Sequence, residues 1–467
     1  MSRPTRVSTN KTFEFNKTIE NKLLMCTNAN GNNNKFYSIE LQTDSTNRFQ
    51  IFSHYGRING TVIDGGAFEV RHFHDDESEA RKTFNKIVKT KKRPKTRVKD
   101  GNTYKENYIE IDVIASSVGS ENIQEKGTIK GTIDIDIFKD FNKIERNLLI
   151  NLEKENVHDI LNKTAMKYQG GALQTPLGAL TLSHIDKAKD ILDLINNAVT
   201  NNESDDEIKK LNNSYLSLIP RNLGGNISKH SLIMEATKIL QEYDLINQMK
   251  TAINLSIQKS MNTNTDDIDV GFNLSLAPSS VAREITHNFE KSRKHRNLSR
   301  YKIKNVFKIT NKEERIRYEK KADQLLANKT NKKRHKFSYT ELDMYHGSRN
   351  SNVLSILMNG FYVPPRTAKH TTGRMFGDGV YGADSSTKAL NYSAGVWGGQ
   401  SNKFNNLFCF VTRFAMGEVY ETQHSRMSGA PSGYDSIFAK GGADLANNEY
   451  IVSSSDQTTM TYLIELE

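Results

Sequence analysis

The chain has 467 residues, of which 36% are hydrophobic and 25% charged, a composition typical of a globular protein with length for about three domains. Lys and Arg exceed Asp and Glu by 65 to 54, which favours a polyanionic partner without identifying it. Only two cysteines, Cys26 and Cys409, are present, which excludes a disulfide framework, a four-cysteine zinc site and zinc fingers as the source of any DNA contact.

The first predicted element is a flexible arm over residues 1–33, which are polar apart from a short apolar interruption at 23–25. No apolar run spans a membrane and the N-terminal residues lack the apolar core of a secretory signal, so we expect a soluble intracellular protein without a membrane partner.

Short alternating runs over residues 34–115 predict a small antiparallel sheet, with one helix in DDESEARKTFNKIVKTKK and a last strand in YIEIDV. The run KTKKRPKTRVK at 89–99 carries seven cations, and a solvated loop and a nucleic-acid contact or import signal are equal alternatives for it. Residues 116–135 are polar and contain glycine, which is typical of a linker.

Residues 136–262 are predicted to be a helical bundle. In TLSHIDKAKDILDLINNAV, Ser183 is predicted to begin a helix, and an apolar stripe follows it at helical spacing. Residues 266–467 open with a helix and then alternate strand-like runs with glycine turns, which predicts a mixed α+β domain. The whole chain is therefore predicted to be multidomain α+β.

Polar residues at strand ends are the candidates for a binding site in the last segment. The triplet His-Gly-Ser at 346–348 is weak when taken alone, because a surface histidine, a turn glycine and a helix-capping serine are the favoured explanation of these three residues. Glu449 is a stronger signal, since an acid that enters the apolar strand EYIV costs free energy unless it serves a site.

Four motifs in this segment stand in a specific order: YHGS at 345–348, MFGDGVYGAD at 375–384, the tyrosine of ALNYS at 392, and NEYIV at 448–452. Together they resemble the catalytic domain of the poly(ADP-ribose) polymerase family, ADP-ribosyltransferases of the His-Tyr-Glu type. TPLGALT at 175–181 and NSYLSLIPRNLG at 213–224 are similar to the helical regulatory domain of the DNA-damage-dependent members of that family.

SHYGRINGTVIDGG at 53–66 is similar to the WGR domain of the same members, with Tyr55, Gly56 and Arg57 at the Trp-Gly-Arg signature. The resemblance implies a small antiparallel β WGR-like DNA-binding domain at 34–115, an all-α helical regulatory domain at 136–262 and a mixed α+β ADP-ribosyltransferase domain at 266–467. It further implies that the three signature residues contact DNA.

The substrate implied by the resemblance is NAD+, and no metal is expected, because nicotinamide leaves the ribose as a neutral group. The protein must hold the nicotinamide, fix the ribose and place a carboxylate near the developing positive charge. The catalytic residues implied are His346, Tyr381 and Glu449. The NAD+-binding residues implied are His346, Gly347, Ser348, Tyr381 and Tyr392, with Tyr392 stacking on the nicotinamide ring.

The function implied is a DNA-break-activated transferase that moves ADP-ribose to acceptor proteins, including itself, and elongates the chain. DNA ends or strand breaks are the implied activating partner, the protein is expected to be a monomer without DNA, and a nuclear location follows if the source is eukaryotic. The alternatives are a mono(ADP-ribosyl)transferase and a nucleic-acid-binding scaffold with a weak or inactive transferase domain. The scaffold alternative is retained because Ala389 stands where the family commonly has a serine that binds the carboxamide. The segment Thr422–Asn448 is short compared with the acceptor loop of the better-known polymerases, so the length of the polymer stays undetermined.

Overall fold

The computed structural model describes residues 5–6, 13–59, 62–63, 68–99, 101–114, 118–120, 136–169, 171–221, 232–261, 269–294, 298–329, 335–365, 375–395, 405–425 and 427–467. It divides into two compact units, residues 1–135 with 159–260 and residues 136–158 with 261–467. Within those described ranges, no helix is long and apolar enough to cross a bilayer.

In its described residues, the first unit contains thirteen strands, four helices and the end of a fifth helix. The strands are β1 (Thr5–Arg6), β2 (Phe15–Asn28), β3 (Asn33–Asp44), β4 (Phe49–Asn59), β5 (Val62–Ile63), β6 (Phe68–His74), β7 (Lys95–Lys99), β8 (Asn102–Glu106), β9 (Ile109–Ile111), β10 (Val113–Ile114), β11 (Lys167–Gln169), β12 (Ala172–Thr175) and β13 (Gly178–Leu180). The helices are α1 (Glu77–Lys92), the end of α2 (Lys143–Lys163), α3 (Leu182–Thr200), α4 (Asp205–Leu218) and α5 (Ala236–Met261). Strands pair in the orders β1-β6-β4-β3-β2-β9, with β5 beside β4, then β10-β13-β12-β11, and β7-β8.

The seven-stranded sheet of this unit is covered on both faces. Leu24 and Tyr37 face the side that packs against Ala80 and Phe84 of α1. Their chain neighbours point the other way because strand side chains alternate. On that second face Leu23, Met25 and Phe36 join the core formed by α3, α4 and α5. The predicted 34–115 and 136–262 segments therefore share one hydrophobic core.

The prediction that residues 1–33 form a flexible arm is wrong for Phe15–Asn28, which are strand β2. β2 pairs with β3 along its length and with β9 near Leu23. Its apolar residues follow one another directly because both faces are buried, so the alternation that marks a half-buried strand is missing.

The prediction of a linker over 116–135 is wrong for residues 118–120, and residues 121–135 lie outside the described part. Val118 is fully buried. The Ser120 backbone N–H donates to Glu40 Oε1 at 2.7 Å, and its hydroxyl donates to Glu40 Oε2 at 2.5 Å. These contacts satisfy the hydrogen-bonding capacity of the Glu40 carboxylate, which is buried in the middle of β3. Burial raises the pKa of Glu40.

The predicted helical character of residues 136–262 is confirmed by α2 to α5, with one addition, and the bounds of the segment stay a prediction. Three short strands, β11 to β13, form a sheet with β10, which comes from the preceding segment. The Thr27 backbone N–H also donates to the Ser217 hydroxyl at 2.8 Å, and that of Ala29 donates to Asn213 Oδ1 at 2.9 Å. Hydrogen bonds thus join β2 to α4 beside their shared core.

The second unit is the predicted mixed α+β domain, and its class is confirmed. Its strands are β14 (Asn273–Leu276), β15 (Ile303–Thr310), β16 (Glu341–Gly347), β17 (Val380–Gly382), β18 (Leu407–Ala415), β19 (Val419–Thr422), β20 (Ser436–Ala439), β21 (Glu449–Val452) and β22 (Thr458–Leu466). Its helices are the first part of α2, up to residue 158, and α6 (Ser279–Lys291), α7 (Lys312–Ala327), α8 (Asn350–Asn359) and α9 (Ser386–Ser393). The strand orders are β14-β15-β22-β18-β16 and β17-β21-β20-β19.

The two sheets of the second unit meet where β16 ends and β17 ends. The backbones of Tyr345 and Ala383 exchange hydrogen bonds of 2.8 and 2.9 Å. This bridge places the end of β16, the turn before α9 and the start of β21 around one pocket.

Candidate active site

A pocket of about 150 Å³ lies at this junction, a volume that in other proteins accommodates a single six-membered ring. It is lined by Tyr345, His346, Gly347, Gly379, Tyr381, Gly382, Ala383, Lys388, Ala389, Tyr392 and Glu449. The structure thus brings together five of the residues predicted from the sequence: His346, Gly347, Tyr381, Tyr392 and Glu449. Their roles in binding and catalysis stay predictions.

Gly347 is required by the close approach of two backbones. A Cβ atom at this position would lie 1.8 Å from the Ala389 carbonyl oxygen, which is far inside van der Waals contact. Gly379 has the same constraint, because its Cβ would lie 2.4 Å from the Val452 oxygen. The missing side chains let β16 meet α9 and let β17 meet β21, and they leave main chain exposed to a flat ligand.

His346 is held in one tautomer by β17. Its Nδ1 lies 2.8 Å from the Tyr381 carbonyl oxygen, which can only accept, so Nδ1 carries the hydrogen. Burial lowers the pKa of His346, which favours the neutral ring. The other ring nitrogen, Nε2, is then an acceptor for a hydroxyl group. Phe361 packs on the ring with its centroid 4.5 Å away and fixes its orientation.

Two tyrosine rings line the pocket, and their hydroxyl groups differ. The Tyr381 hydroxyl donates to the Gly377 carbonyl at 2.5 Å and accepts from the Phe376 N–H at 3.2 Å. Burial, and then the charge of Glu449, raise the pKa of Tyr392 well above that of a free phenol, so the side chain stays neutral. Both rings therefore offer uncharged aromatic surface to a ligand.

Glu449 is the buried acid of the pocket, with 3% of its surface exposed. Its Oε1 forms an ion pair with Lys388 Nζ, and this partner compensates the cost of burying the carboxylate. Lys388 could not be predicted from the sequence, because a single lysine in a short helix carries no sign of its partner. The preceding residue, Asn448, donates from Nδ2 to Asp384 Oδ2 at 2.6 Å and anchors the start of β21.

Ser348 and Ala389 complete the predicted set. Ser348 begins the turn into α8 and accepts a long hydrogen bond from Asn352 at 3.4 Å, but it is not among the lining residues that the structure describes. Ala389 is buried in the pocket wall and offers no hydroxyl there. In the described part of the chain, no group of three His, Cys, Asp or Glu side chains could hold a metal ion.

The predicted DNA-contact residues lie on β4 in the first unit. The Tyr55 ring stacks between Tyr37 and Phe68, with centroid separations of 5.3 and 5.7 Å, so neighbouring rings cover both of its faces. Arg57 is exposed, and one of its guanidinium nitrogens donates to Asn33 Oδ1 at 2.9 Å. Of the three signature residues, Arg57 is therefore the one with an exposed charged side chain.

Three family models match the chain in the order that this architecture presents. A WGR domain matches residues 20–101, a poly(ADP-ribose) polymerase regulatory domain matches 155–272, and a poly(ADP-ribose) polymerase catalytic domain matches 279–445. The last is the catalytic domain of an NAD+ ADP-ribosyltransferase, and its matched range ends before Glu449. The first begins at residue 20, inside β2, so the matched WGR range includes most of that strand.

Curated relatives match nearly the whole chain. It is 23% identical to poly(ADP-ribose) polymerase 1 of Gallus gallus over 475 residues, which cover 93% of this chain and 44% of the relative. It is 24% identical to poly(ADP-ribose) polymerase of Drosophila melanogaster over 492 residues, 95% of this chain and 45% of the relative. It is 24% identical to poly(ADP-ribose) polymerase 2-B of Oryza sativa over 417 residues, which cover 85% of this chain and 58% of the relative.

The three matched domains and the pocket define a chain with a WGR domain, a regulatory domain and an ADP-ribosyltransferase catalytic domain. The chain belongs to the poly(ADP-ribose) polymerase family. It spans less than half the length of the two animal relatives.

Proposed function

We propose that the chain is an NAD+ ADP-ribosyltransferase that is activated by DNA ends and that transfers ADP-ribose to acceptor proteins, including itself, and elongates the chain. The observation that carries this proposal is the pocket in which two tyrosine rings, a neutral histidine and a buried carboxylate converge. NAD+ is the substrate, and the chemistry requires no metal.

The reaction begins with nicotinamide held in the ring-sized pocket against Tyr381 and Tyr392. His346 Nε2 accepts a hydrogen bond from a ribose hydroxyl and fixes the sugar. The bond from ribose C1′ to the nicotinamide nitrogen then breaks, and neutral nicotinamide leaves with the bonding electrons. The Glu449 carboxylate accepts a hydrogen bond from the ribose hydroxyl next to that carbon and stabilises the cationic sugar.

The second step forms a bond from C1′ to the oxygen of an acceptor hydroxyl, whose proton passes to Glu449. The adjacent Lys388 ammonium forms an ion pair with this carboxylate and holds it in place in the pocket. A glutamate at position 449 is what polymer-forming members of the family carry, which favours elongation over a single transfer.

The DNA partner is proposed from the charge of the first unit. Arg57 is exposed on β4, and further cations follow on α1 and β7. Lys91 is not a free cation of this surface, because its Nζ lies 3.8 Å from the centroid of the Tyr37 ring. Burial, followed by the charges of neighbouring cations, lowers the pKa of Lys91 to about 8. Leu177 and Leu180 belong to the TPLGALT motif that is similar to the family's regulatory domain, and both are buried in the core of that unit. A nuclear location is part of the proposal for a eukaryotic source.

The test is to incubate the purified chain with labelled NAD+, with and without a short 5′-phosphorylated DNA duplex, and to separate the products on a gel. A ladder that increases with DNA supports the proposal. A single sharp band indicates a mono-transferase, and the absence of label indicates a nucleic-acid-binding scaffold.

The DNA contact is tested in the same assay with Arg57→Ala. Loss of one phosphate contact is expected to weaken DNA binding and to lower the slope of log affinity against log salt concentration by about one. Lys210→Ala is the control, because it removes an exposed cation from α4 of the same unit. Equal DNA stimulation and equal salt slopes in the two variants would reject Arg57 as the contact.

A further inference from the structure

Asp384 lies between β17 and α9, and its backbone is fixed from both sides. Ala383, which precedes it, exchanges backbone hydrogen bonds of 2.8 and 2.9 Å with Tyr345. The hydroxyl of Ser385, which follows it, donates to the Ser292 carbonyl at 3.1 Å. The Asp384 carboxylate is therefore a fixed point beside the pocket, although Asp384 is not among the lining residues that the structure describes.

This carboxylate contacts two side chains that flank Glu449. Asn448 Nδ2 donates to Asp384 Oδ2 at 2.6 Å, and the Tyr450 hydroxyl makes a longer contact of 3.5 Å with the same oxygen. Strand register brings these groups together, because Gly382 of β17 pairs with Tyr450 of β21 and the two strands are antiparallel. One oxygen of Asp384 thus holds the residues on both sides of Glu449.

The Asn448 amide is held at both ends. Its Nδ2 donates to Asp384, and its Oδ1 accepts from the Gly441 backbone N–H at 2.9 Å. Only the amide oxygen can accept from an N–H group and only the nitrogen can donate to a carboxylate, so the orientation of the side chain is fixed. The start of β21 is therefore tied to the end of β17 and to the turn that follows β20.

Glu449 faces the pocket, whereas Tyr450 faces the other side of β21, because strand side chains alternate. The Tyr450 ring packs against Phe438 and Phe337, with centroid separations of 5.0 and 5.5 Å. Burial, followed by the charge of Asp384 and the hydrogen bond to it, raises the pKa of Tyr450, so the hydroxyl keeps the proton that it donates. A rotation of the start of β21 would therefore move the Glu449 carboxylate within the pocket.

The second oxygen of Asp384 is not explained by stability. Among the described residues, Oδ1 is buried and has no hydrogen-bond partner. A buried acceptor without a partner lowers the free energy of unfolding, so a carboxylate at this position needs another reason.

We propose that Asp384 is a positioning residue for ADP-ribose transfer, which acts through Asn448 to hold the Glu449 carboxylate at the ribose. This inference rests on the proposed function. The positive charge on the sugar develops only as the bond to nicotinamide breaks, so a displaced carboxylate loses more interaction with the transition state than with bound NAD+. Loss of the contact between Asp384 and Asn448 thus lowers kcat and leaves the KM for NAD+ nearly unchanged.

The test measures steady-state nicotinamide release from NAD+ by the full chain for the wild type, Asp384→Ala and Asn448→Ala. Each variant removes one partner of the contact. A displacement of the carboxylate by about 1 Å predicts a fall in kcat of about 10- to 100-fold, with a KM within about twofold of the wild type. Asp323→Ala is the control, because Asp323 is an exposed aspartate on α7 of the same unit, and it should keep both constants.

A double variant tests whether the effect passes through Glu449. In a chain that carries Glu449→Gln, the carboxylate that Asp384 positions is already absent, so Asp384→Ala is expected to cause no further fall in the residual rate. A residue that only stabilises the fold would lower the rate by the same factor with and without Glu449.

A wild-type kcat in Asp384→Ala and Asn448→Ala overturns the inference, and so does a higher KM at unchanged kcat. An equal fall caused by Asp384→Ala in both backgrounds also overturns it. If Asp384→Ala does not fold, Asn448→Ala decides alone, by its own kcat and by its effect in the Glu449→Gln background. If the wild-type chain releases no nicotinamide, the proposed function fails and the inference fails with it, whereas active variants of an active wild type reject the inference alone.

Discussion

Gly347 and Lys388 both line the pocket, but only Gly347 could be predicted from the sequence as a site residue. The resemblance marked the glycine as an NAD+-binding residue, whereas its close approach to the Ala389 carbonyl became evident only in the structure. Lys388 pairs with Glu449 across 61 residues of chain. No local pattern marks such a partner, because the ion pair forms only when α9 and β21 are brought together by the fold.

Ala389 leads to the first prediction. Ala389→Ser places a hydroxyl on the pocket wall, where it can hold the nicotinamide carboxamide, and one added hydrogen bond of about 0.5 to 1.5 kcal/mol is expected to lower the KM for NAD+ by about two- to tenfold. Steady-state kinetics of nicotinamide release measure this change. A KM equal to or above that of the wild type would show that the pocket already satisfies the carboxamide without residue 389.

Glu314 on α7 is a buried acid outside the pocket. It is 4% exposed and accepts hydrogen bonds from Met460 N and Thr459 Oγ1 through Oε2, whereas Oε1 has no hydrogen-bond partner. Burial raises its pKa to about 7 against these opposing contacts and the charge of Arg317. The folded protein thus binds more protons here than the unfolded chain does between pH 4.5 and 7, and stability falls as pH rises through that window.

The second prediction follows from this sign. Ionisation of Glu314 is expected to remove about 3 kcal/mol from the free energy of unfolding of the wild type by pH 8, and Glu314→Gln removes this dependence. Urea midpoints of both chains, measured at pH 5, 6, 7 and 8, should move in favour of the variant as pH rises. A difference between the two chains that does not vary with pH would contradict the raised pKa.

At the scale of elements, strand β2 and helix α3 show where sequence patterns failed. β2 carries apolar residues on both faces, so its central run appeared as an apolar interruption in a polar arm. Helix α3 was found from its apolar stripe, but its N-cap is Thr181, whose hydroxyl accepts from His184 N, and not Ser183. The 3.6-residue spacing of its apolar residues predicted the helix. Its first residue depended on whether the Thr181 or the Ser183 hydroxyl accepts from the free N–H groups of the first turn.

The third prediction tests the role of β2. A chain that begins at residue 34, the predicted domain boundary, lacks β2 and with it core residues on both faces of the sheet. Loss of several buried side chains at about 2 to 5 kcal/mol each exceeds the stability of a typical domain, so this chain is expected to be insoluble or to lose its cooperative unfolding transition. A chain that begins at residue 13 is the control, and equal melting curves for the two would contradict the assignment.

At the scale of the whole molecule, the three-part order of the chain could be predicted from the sequence, whereas the partition of its cores could not. Short strands, an apolar helical stripe and an α+β alternation marked the three segments. The merging of the first two depends on Phe36 and Leu192 meeting in one core, a contact between distant positions that periodicity does not encode. The first unit is therefore expected to unfold as one cooperative body.

The central claim is that Glu449 carries out ADP-ribose transfer from NAD+ in this pocket, and Glu449→Gln tests it most directly. The change keeps the side-chain volume and removes the negative charge, so nicotinamide release and polymer formation are expected to fall by about 100-fold or more while NAD+ still binds. Glu313→Gln, at an exposed position of the same unit, is the control and should behave as wild type. Wild-type polymer synthesis by Glu449→Gln would contradict the account.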